Sequence, residues 1–248
     1  AMGINPSVPV EFAVRNSVAD LSQFPDFDDI RGRFHEGMLI PYTFGGKYYA
    51  LPETQDFLMT FYRTDILEEL GLAPPRTWED VYRMLPVLRS GGMDFYFPPG
   101  PQSYTFFLYQ HGGDFFRNGG AETALDAPEA LAAFEQWTGL YTFHAVQLQA
   151  DFYQRFRTGE MPVGIAGYDM FVRLMAAAPE LYGKWSMDVI PGTERADGVV
   201  DHTSGGVTGN TQAVMIMETA KDKEAAWEFV KWWTSAETQR RYGEEIEA

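Results

Sequence analysis

The segment GGKYYALPETQDFLMTFYRTDILEELG, Gly45 to Gly71, sets a turn, an extended run and a helix start in fixed order, and few folds accommodate all three. Gly45-Gly46 separates LIPYTF from KYYAL, two runs rich in aromatic and aliphatic residues that read as paired strands around a tight turn. From Pro52 to Asp56 the side chains turn polar, through Glu53, Thr54, Gln55 and Asp56. Phe57 to Tyr62 is apolar and aromatic again, and Thr64 offers a helix N-cap. A polar patch inside an otherwise buried extended run lines something wet, so this crossing is the first candidate for ligand contact.

Composition narrows the function classes. The 248 residues are 45% hydrophobic, enough for a sizeable core in one large domain or two lobes. A net charge of -16 repels a nucleic-acid backbone and an anionic membrane surface, so neither is an expected partner. With no cysteine there is no disulfide, no thiolate metal site and no cysteine nucleophile. No run of about 18 apolar residues exists, so no membrane span is expected, and the start at Ala1-Met2-Gly3 does not read as a signal peptide.

Periodicity and caps predict helices over residues 26–34, 65–70, 78–89, 127–143, 152–158, 169–178 and 221–234. Thr77 with Asp80, and Asp126 with Glu129, have capping-box spacing, and Pro128 fits a first helical turn. Leu131, Phe134, Gly139 and Tyr141, and later Ala226, Phe229, Val230 and Trp233, recur at helical spacing and read as core stripes. Trp232 and Trp233 are adjacent and cannot share a helix face, so one of them is expected outside. Strands are predicted over residues 38–42, 48–51, 57–61, 93–97, 162–166, 187–190 and 212–217. Helices alternate with strands, so the class is α/β.

The order of landmarks resembles the extracellular solute-binding proteins of ATP-driven importers, in the carbohydrate-binding group that includes maltose-binding protein. Beside the opening segment stand TFFLYQHGGDFF from Thr105, DAPEALAAFEQWTGLY from Asp126, FRTGEMPVGIAGYDMF from Phe156, and TSGGVTGNTQAVMI followed by KDKEAAWEFVKWW. The resemblance implies a type II periplasmic-binding-protein fold whose two lobes are joined by crossing strands, with ligand held in the cleft between them. It implies one lobe formed by residues 1–62 and 188–248 and another by 63–187. The chain is shorter than a full-length member, so it is expected to be truncated at both ends and its first lobe incomplete.

The same resemblance proposes binding residues by position. Asp56, with Thr54 and Gln55 beside it, matches the acidic contact of the first crossing, and a carboxylate can accept two sugar hydroxyls. Tyr168 and Asp169 fall where the family commonly places an aromatic ring against the sugar, although Asp169 could equally cap the following helix. Gln102, Ser103 and Tyr104 match a region of polar and aromatic contacts, and Ser204, Gly205 and Gly206 match a return loop where glycines permit close backbone approach. The parent is expected to capture a carbohydrate outside the cytoplasm, lipid-anchored, and to deliver it to the transmembrane subunits of a permease, with no cofactor.

Two other readings remain open at this stage. One is a ligand-free sensory or interaction module of the same fold, fused to a membrane protein. The other is a glycoside hydrolase using Glu53 and Asp56, but three residues apart on a strand they face opposite sides. No nucleophile elbow, zinc helix or phosphate loop is present, and His35, His111, His144 and His202 are scattered singly.

Overall fold

Hydrophobic runs of alternating period build this chain into layered α/β structure, and the computed structural model describes residues 1–195, 198–203 and 211–245. The chain forms two compact units, residues 1–56 with 207–248 and residues 57–206. The first unit opens with α1 (Val8–Val14), α2 (Phe27–Arg31) and α3 (Glu36–Leu39), followed by β1 (Thr43–Phe44), β2 (Lys47–Tyr48) and β3 (Leu51–Thr54). The second contains β4 (Leu58–Arg63), α4 (Thr64–Leu70), α5 (Trp78–Ser90), β5 (Phe95–Tyr96) and α6 (Pro101–Gln110). It continues with β6 (Phe116–Arg117), β7 (Glu122–Thr123), α7 (Pro128–Thr142), α8 (Phe152–Thr158), β8 (Val163–Gly167) and α9 (Asp169–Ala177). It closes with β9 (Trp185–Asp188), β10 (Thr193–Glu194) and β11 (Val200–Asp201). The chain then returns to the first unit through β12 (Gln212–Val214), α10 (Lys223–Trp233) and α11 (Ala236–Glu245).

In the first unit, β3 pairs antiparallel with β12, with Leu51 opposite Val214. Leu51, Val214 and Ile216 meet Phe27, Trp227 and Val230 in its core. The Asp26 carboxylate fastens α10 by accepting from Trp227 Nε1 at 2.7 Å and Lys231 Nζ at 2.6 Å. Gly45 and Gly46 adopt φ of 58° and 74°, the left-handed pair required where β1 turns into β2. That hairpin is only two residues deep on each side. The strand predicted at 38–42 is instead α3 and a short 3-10 turn over Ile40–Tyr42, because Pro41 has no N–H for a strand ladder and His35 Nδ1 caps α3 from Gly37 N.

In the second unit the sheet order is β5-β8-β4-β9, with β4 antiparallel to both neighbours and β5 parallel to β8. Period-two alternation sends Phe61 toward Phe156, Met170 and Leu174 on one face. Val163 and Ile165 pack with Trp78, Leu85 and Phe107 on the other, so helices cover both sides. The expected crossings near 60–62 and 188–191 differ from this division. β4 and β9 pair with each other in register, Thr60 opposite Asp188, which keeps both whole strands with residues 57–206.

Local signals fared unequally. Thr77 accepts from Asp80 N at 3.1 Å while Asp80 accepts from Thr77 N at 2.9 Å, the reciprocal box expected at α5. At α7 the N-cap is Ala127, and the Asp126 carboxylate is drawn off by Arg117 at 2.8 Å. Thr64 lies inside α4, whose N-cap is Arg63. Leu131 and Phe134 point outward, 57% and 49% exposed, because α7 turns the small residues Ala130 and Ala133 into the core. Phe229 is likewise 43% exposed, and of the adjacent tryptophans Trp232 is the outer one at 57%. Helices α1, α6 and α11 lie outside the predicted ranges, and the stretch PPGPQSYTFF, read as a loop, supplies most of α6.

Gln110, 1% exposed, is a polar hub of the second unit. Its Oε1 accepts from Trp78 Nε1 at 2.8 Å and Thr193 Oγ1 at 2.9 Å, and its Nε2 donates to Pro191 O at 3.1 Å and Thr203 O at 3.2 Å. Among the described residues, no helix is long and apolar enough to cross a membrane.

Candidate functional site

On the first unit the polar crossing follows β3. Thr54 and Gln55 are exposed and Asp56 is only 7% exposed. Asp56 N donates to Thr211 Oγ1 at 3.2 Å, and the same hydroxyl donates to Asp56 O at 3.4 Å, so the backbone carrying this carboxylate is held by the return segment. Glu53 accepts from Gly3 N at 2.7 Å, a structural bond that separates it from any pairing with Asp56.

On the second unit β8 ends in Gly167 and hands the chain to α9 through Tyr168, which is the N-cap residue and makes no side-chain cap. Tyr168 N donates to Phe57 O at 3.0 Å, and its ring lies 5.1 Å from Phe57 and 5.4 Å from Phe171, the latter stacked at 11°. A half-buried aromatic step of this kind offers flat apolar surface to a ring with CH groups on its face. Asp169 is the first residue of α9 and exposed, so it does not supply the helix cap.

Asp169 lines an open recess of about 300 Å³ together with Tyr96, Asp151, Phe152, Tyr153 and Arg173. Tyr96 stacks on Phe152 at 4.7 Å and 9°, and burial raises the pKa of its phenol, keeping it a neutral donor. The pair lies close over β8 because Gly164 is beneath it: a Cβ there would come within 2.6 Å of the Phe152 ring and 2.7 Å of Tyr96 Cβ. Asp151 caps α8 by accepting from Gln154 N at 3.1 Å. A recess with carboxylates, a guanidinium and aromatic faces can bind hydroxyls and an apolar ring face together.

The α6 residues are not gathered into this recess. Gln102 is exposed, whereas Ser103 Oγ donates to Pro98 O at 2.6 Å. Tyr104 donates to Ala130 O at 2.9 Å and its ring packs among Phe115, Phe134 and Trp137. Ser204, Gly205 and Gly206 lie outside the described residues. Tyr96, Tyr153 and Arg173 were missed by sequence reasoning. Only Arg173 carried a signal, its spacing of four from Asp169 on one helix.

Other features are structural. The larger hollow of the first unit, about 540 Å³, is lined by apolar side chains such as Val214, Ile216 and Phe229. His111 Nε2 pairs with Gln136 Oε1 at 2.8 Å, His144 stacks on Tyr82 at 4.4 Å, and His202 Nδ1 donates to Ile190 O at 2.8 Å. Among the described residues no three His, Asp or Glu side chains are grouped to hold a metal ion.

Solved structures of similar fold include sugar-binding proteins. An ABC transporter solute-binding protein of Thermotoga lettingae bound with alpha-D-tagatose matches at TM-score 0.73 and 22% identity, over 97% of this chain and 63% of that one. The GacH receptor of Streptomyces glaucescens, solved unliganded and with acarbose, matches at TM-score 0.75 and 19% identity, over 97% and 62%. The sugar-binding protein of Xanthomonas citri matches at TM-score 0.76 and 17% identity, over 97% and 62%. The fold is thus the type II periplasmic-binding-protein α/β fold. Binding proteins of Brucella abortus strain 2308 and Brucella suis biovar 1 strain 1330 are each 25% identical over 233 residues, 86% of this chain. The chain spans 54% of the length of these curated relatives. The model of the bacterial extracellular solute-binding proteins matches residues 9–240. The chain therefore belongs to the bacterial extracellular solute-binding protein family, whose members bind solutes and are not enzymes.

Proposed function

We infer that the protein from which this chain comes captures a carbohydrate outside the cytoplasm and delivers it to the transmembrane subunits of an ABC permease, and that in its full length it is lipid-anchored. The observation that carries this reading is the recess beside the Tyr168 step, where carboxylate, guanidinium and aromatic groups stand together in a chain of this family. A sugar needs that mixture: acceptors and donors for its hydroxyls, and flat apolar surface for its CH face. The carbohydrates held by two of the structural neighbours agree with it. Asp56 with Thr54 and Gln55 on the first unit, and Tyr168 with Asp169 on the second, are the proposed contacts. Gln102 is a further candidate on exposure, while Ser103 and Tyr104 are proposed to support the fold around it.

A thermal-shift screen of mono-, di- and oligosaccharides tests the reading, because a ligand that binds only the folded state raises the melting temperature by mass action. A sugar that raises it, and loses most of that effect with Asp56→Ala, is the expected result. A cooperatively unfolding sample that no sugar shifts would favour the ligand-free module instead.

A further inference from the structure

The sheet of the second unit ends at β9, and that end is open. Thr64 N donates to Lys184 O at 2.9 Å and Tyr62 lies opposite Ser186, so Lys184, Ser186 and Asp188 turn their backbone groups to β4. Trp185 and Met187 therefore turn theirs the other way. Among the described residues no strand or loop takes them. Sheet edges are commonly blunted by a proline or a bulge, and β9, in unbroken register over Trp185–Asp188, has neither. Its flanking charges, Lys184 and Asp188, are exposed, and among the described residues neither enters an ion pair. Glu180, on the turn before, is taken by Arg157, and Asp188 accepts only from its own neighbour, Val189 N, at 2.7 Å. Beside the edge, Phe171, Met175, Tyr182, Trp185 and Met187 line an open hollow of about 350 Å³, with Met175 and Tyr182 exposed.

We propose that β9 is the contact surface for a second copy of this chain, added antiparallel across a two-fold axis at Ser186. The run Lys184-Trp185-Ser186-Met187-Asp188 is self-complementary in that arrangement. Reversed against itself about Ser186, it sets Lys184 of each copy opposite Asp188 of the other, so the pair forms twice in one interface. Trp185 meets Met187 in the same way. These are the two residues whose N–H and C=O groups face outward, so main-chain hydrogen bonds close between the copies and one sheet runs through both. Sliding the copies along the edge by two residues separates both ion pairs, so charge fixes the register. The two hollows flank the joined strands and bring the exposed Met175 and Tyr182 to the interface. A net charge of -16 on each copy opposes association at long range, but at about 0.15 M salt that field decays over about 8 Å, whereas the Lys184–Asp188 pairs are in contact.

Sedimentation velocity of the whole chain at about 0.15 M salt, over roughly 1 to 100 μM, tests the proposal, since small interfaces associate weakly. The expected result is a monomer at the low end and a substantial fraction of dimer at the high end. Lys184→Glu and Asp188→Lys each set like charges opposite one another at both symmetry-related places, and each weakens the dimer roughly tenfold. The double variant exchanges the signs, re-forms the pairs and regains most of the affinity. Net charge alone would move the two single variants in opposite directions, and the double variant leaves it unchanged. Both side chains are exposed, so all three variants are expected to unfold as cooperatively as the parent. A chain that stays monomeric at about 100 μM overturns the proposal and leaves the edge to another occupant, such as a segment of a longer polypeptide. A dimer indifferent to the single reversals also overturns it, because it uses another surface. Failure of the double variant to regain affinity excludes this register and overturns it as well.

Discussion

At the scale of single residues, Gln110 shows how one side chain can hold several segments. All four of its hydrogen-bonding positions are filled, by a tryptophan, a threonine and two carbonyls, in a site from which water is excluded. Gln110→Leu keeps the volume and strands those four partners. The expected loss is at least about 3 kcal/mol, since each unpaired buried group costs roughly 1–3 kcal/mol, and a urea unfolding midpoint measures it. Arg63 is placed by similar means, its guanidinium gripping Asp65 at 2.8 and 2.6 Å and the Phe156 carbonyl at 3.2 Å. The role of Gln110 was not legible in the sequence, because its partners lie tens of residues away, and of the Arg63 contacts only the one to Asp65 is local. Tyr168 and Asp169 were legible, since a strand ending in Gly167 and running into a helix fixes their place locally. Tyr96 reaches the same recess only because β5 pairs with β8, a contact without a local signature, whereas Arg173 follows Asp169 by about one turn of α9.

At the scale of elements, the helix starts written with reciprocal capping were the ones read best. Thr77→Ala removes the hydroxyl that accepts from Asp80 N, and a loss of about 1 kcal/mol is expected, read as a lower unfolding midpoint with unchanged slope. The same spacing at Asp126 misled, since a carboxylate within reach of an arginine is no longer available to a backbone amide. The outward face of α7 misled for another reason. Helical periodicity identifies a stripe of large apolar residues but not whether a neighbour needs small ones. Ala130 and Ala133 are what let α6 approach, so Leu131 and Phe134 remain outside. In the predicted strand over 38–42, one proline was enough to decide the outcome.

For the whole molecule, charge and fold pull stability in opposite directions with pH. Asp26 titrates below its usual value because Lys231 and Trp227 donate to it, and Asp65 because Arg63 does. Asp80, which burial would raise, is nevertheless lowered by the Thr77 N–H and hydroxyl. A carboxylate with a lowered folded-state pKa contributes stability that is whole above the unfolded value near 3.8 and is lost as pH falls through the folded one. Self-repulsion from a net charge of -16 relaxes as pH approaches the isoelectric point of about 4.6. Melting temperature is therefore expected to rise slightly from pH 8 to about 5 and to fall steeply below about 3.8, as a calorimetric pH series would record. The pairing of β3 with β12 also bears on how the molecule comes to exist. Residues 57–206 are inserted between those two strands, so on the ribosome the early half of the first unit waits while 150 residues are made. At roughly 5–20 residues per second that wait is about 8–30 s. The inserted unit can fold in that interval, whereas the apolar faces of α2 and β3 stay without Val214 and Trp227 until the insertion has been translated. The order of maturation is thus inside first and flanks last, and chaperone demand falls on the flank that precedes the insertion.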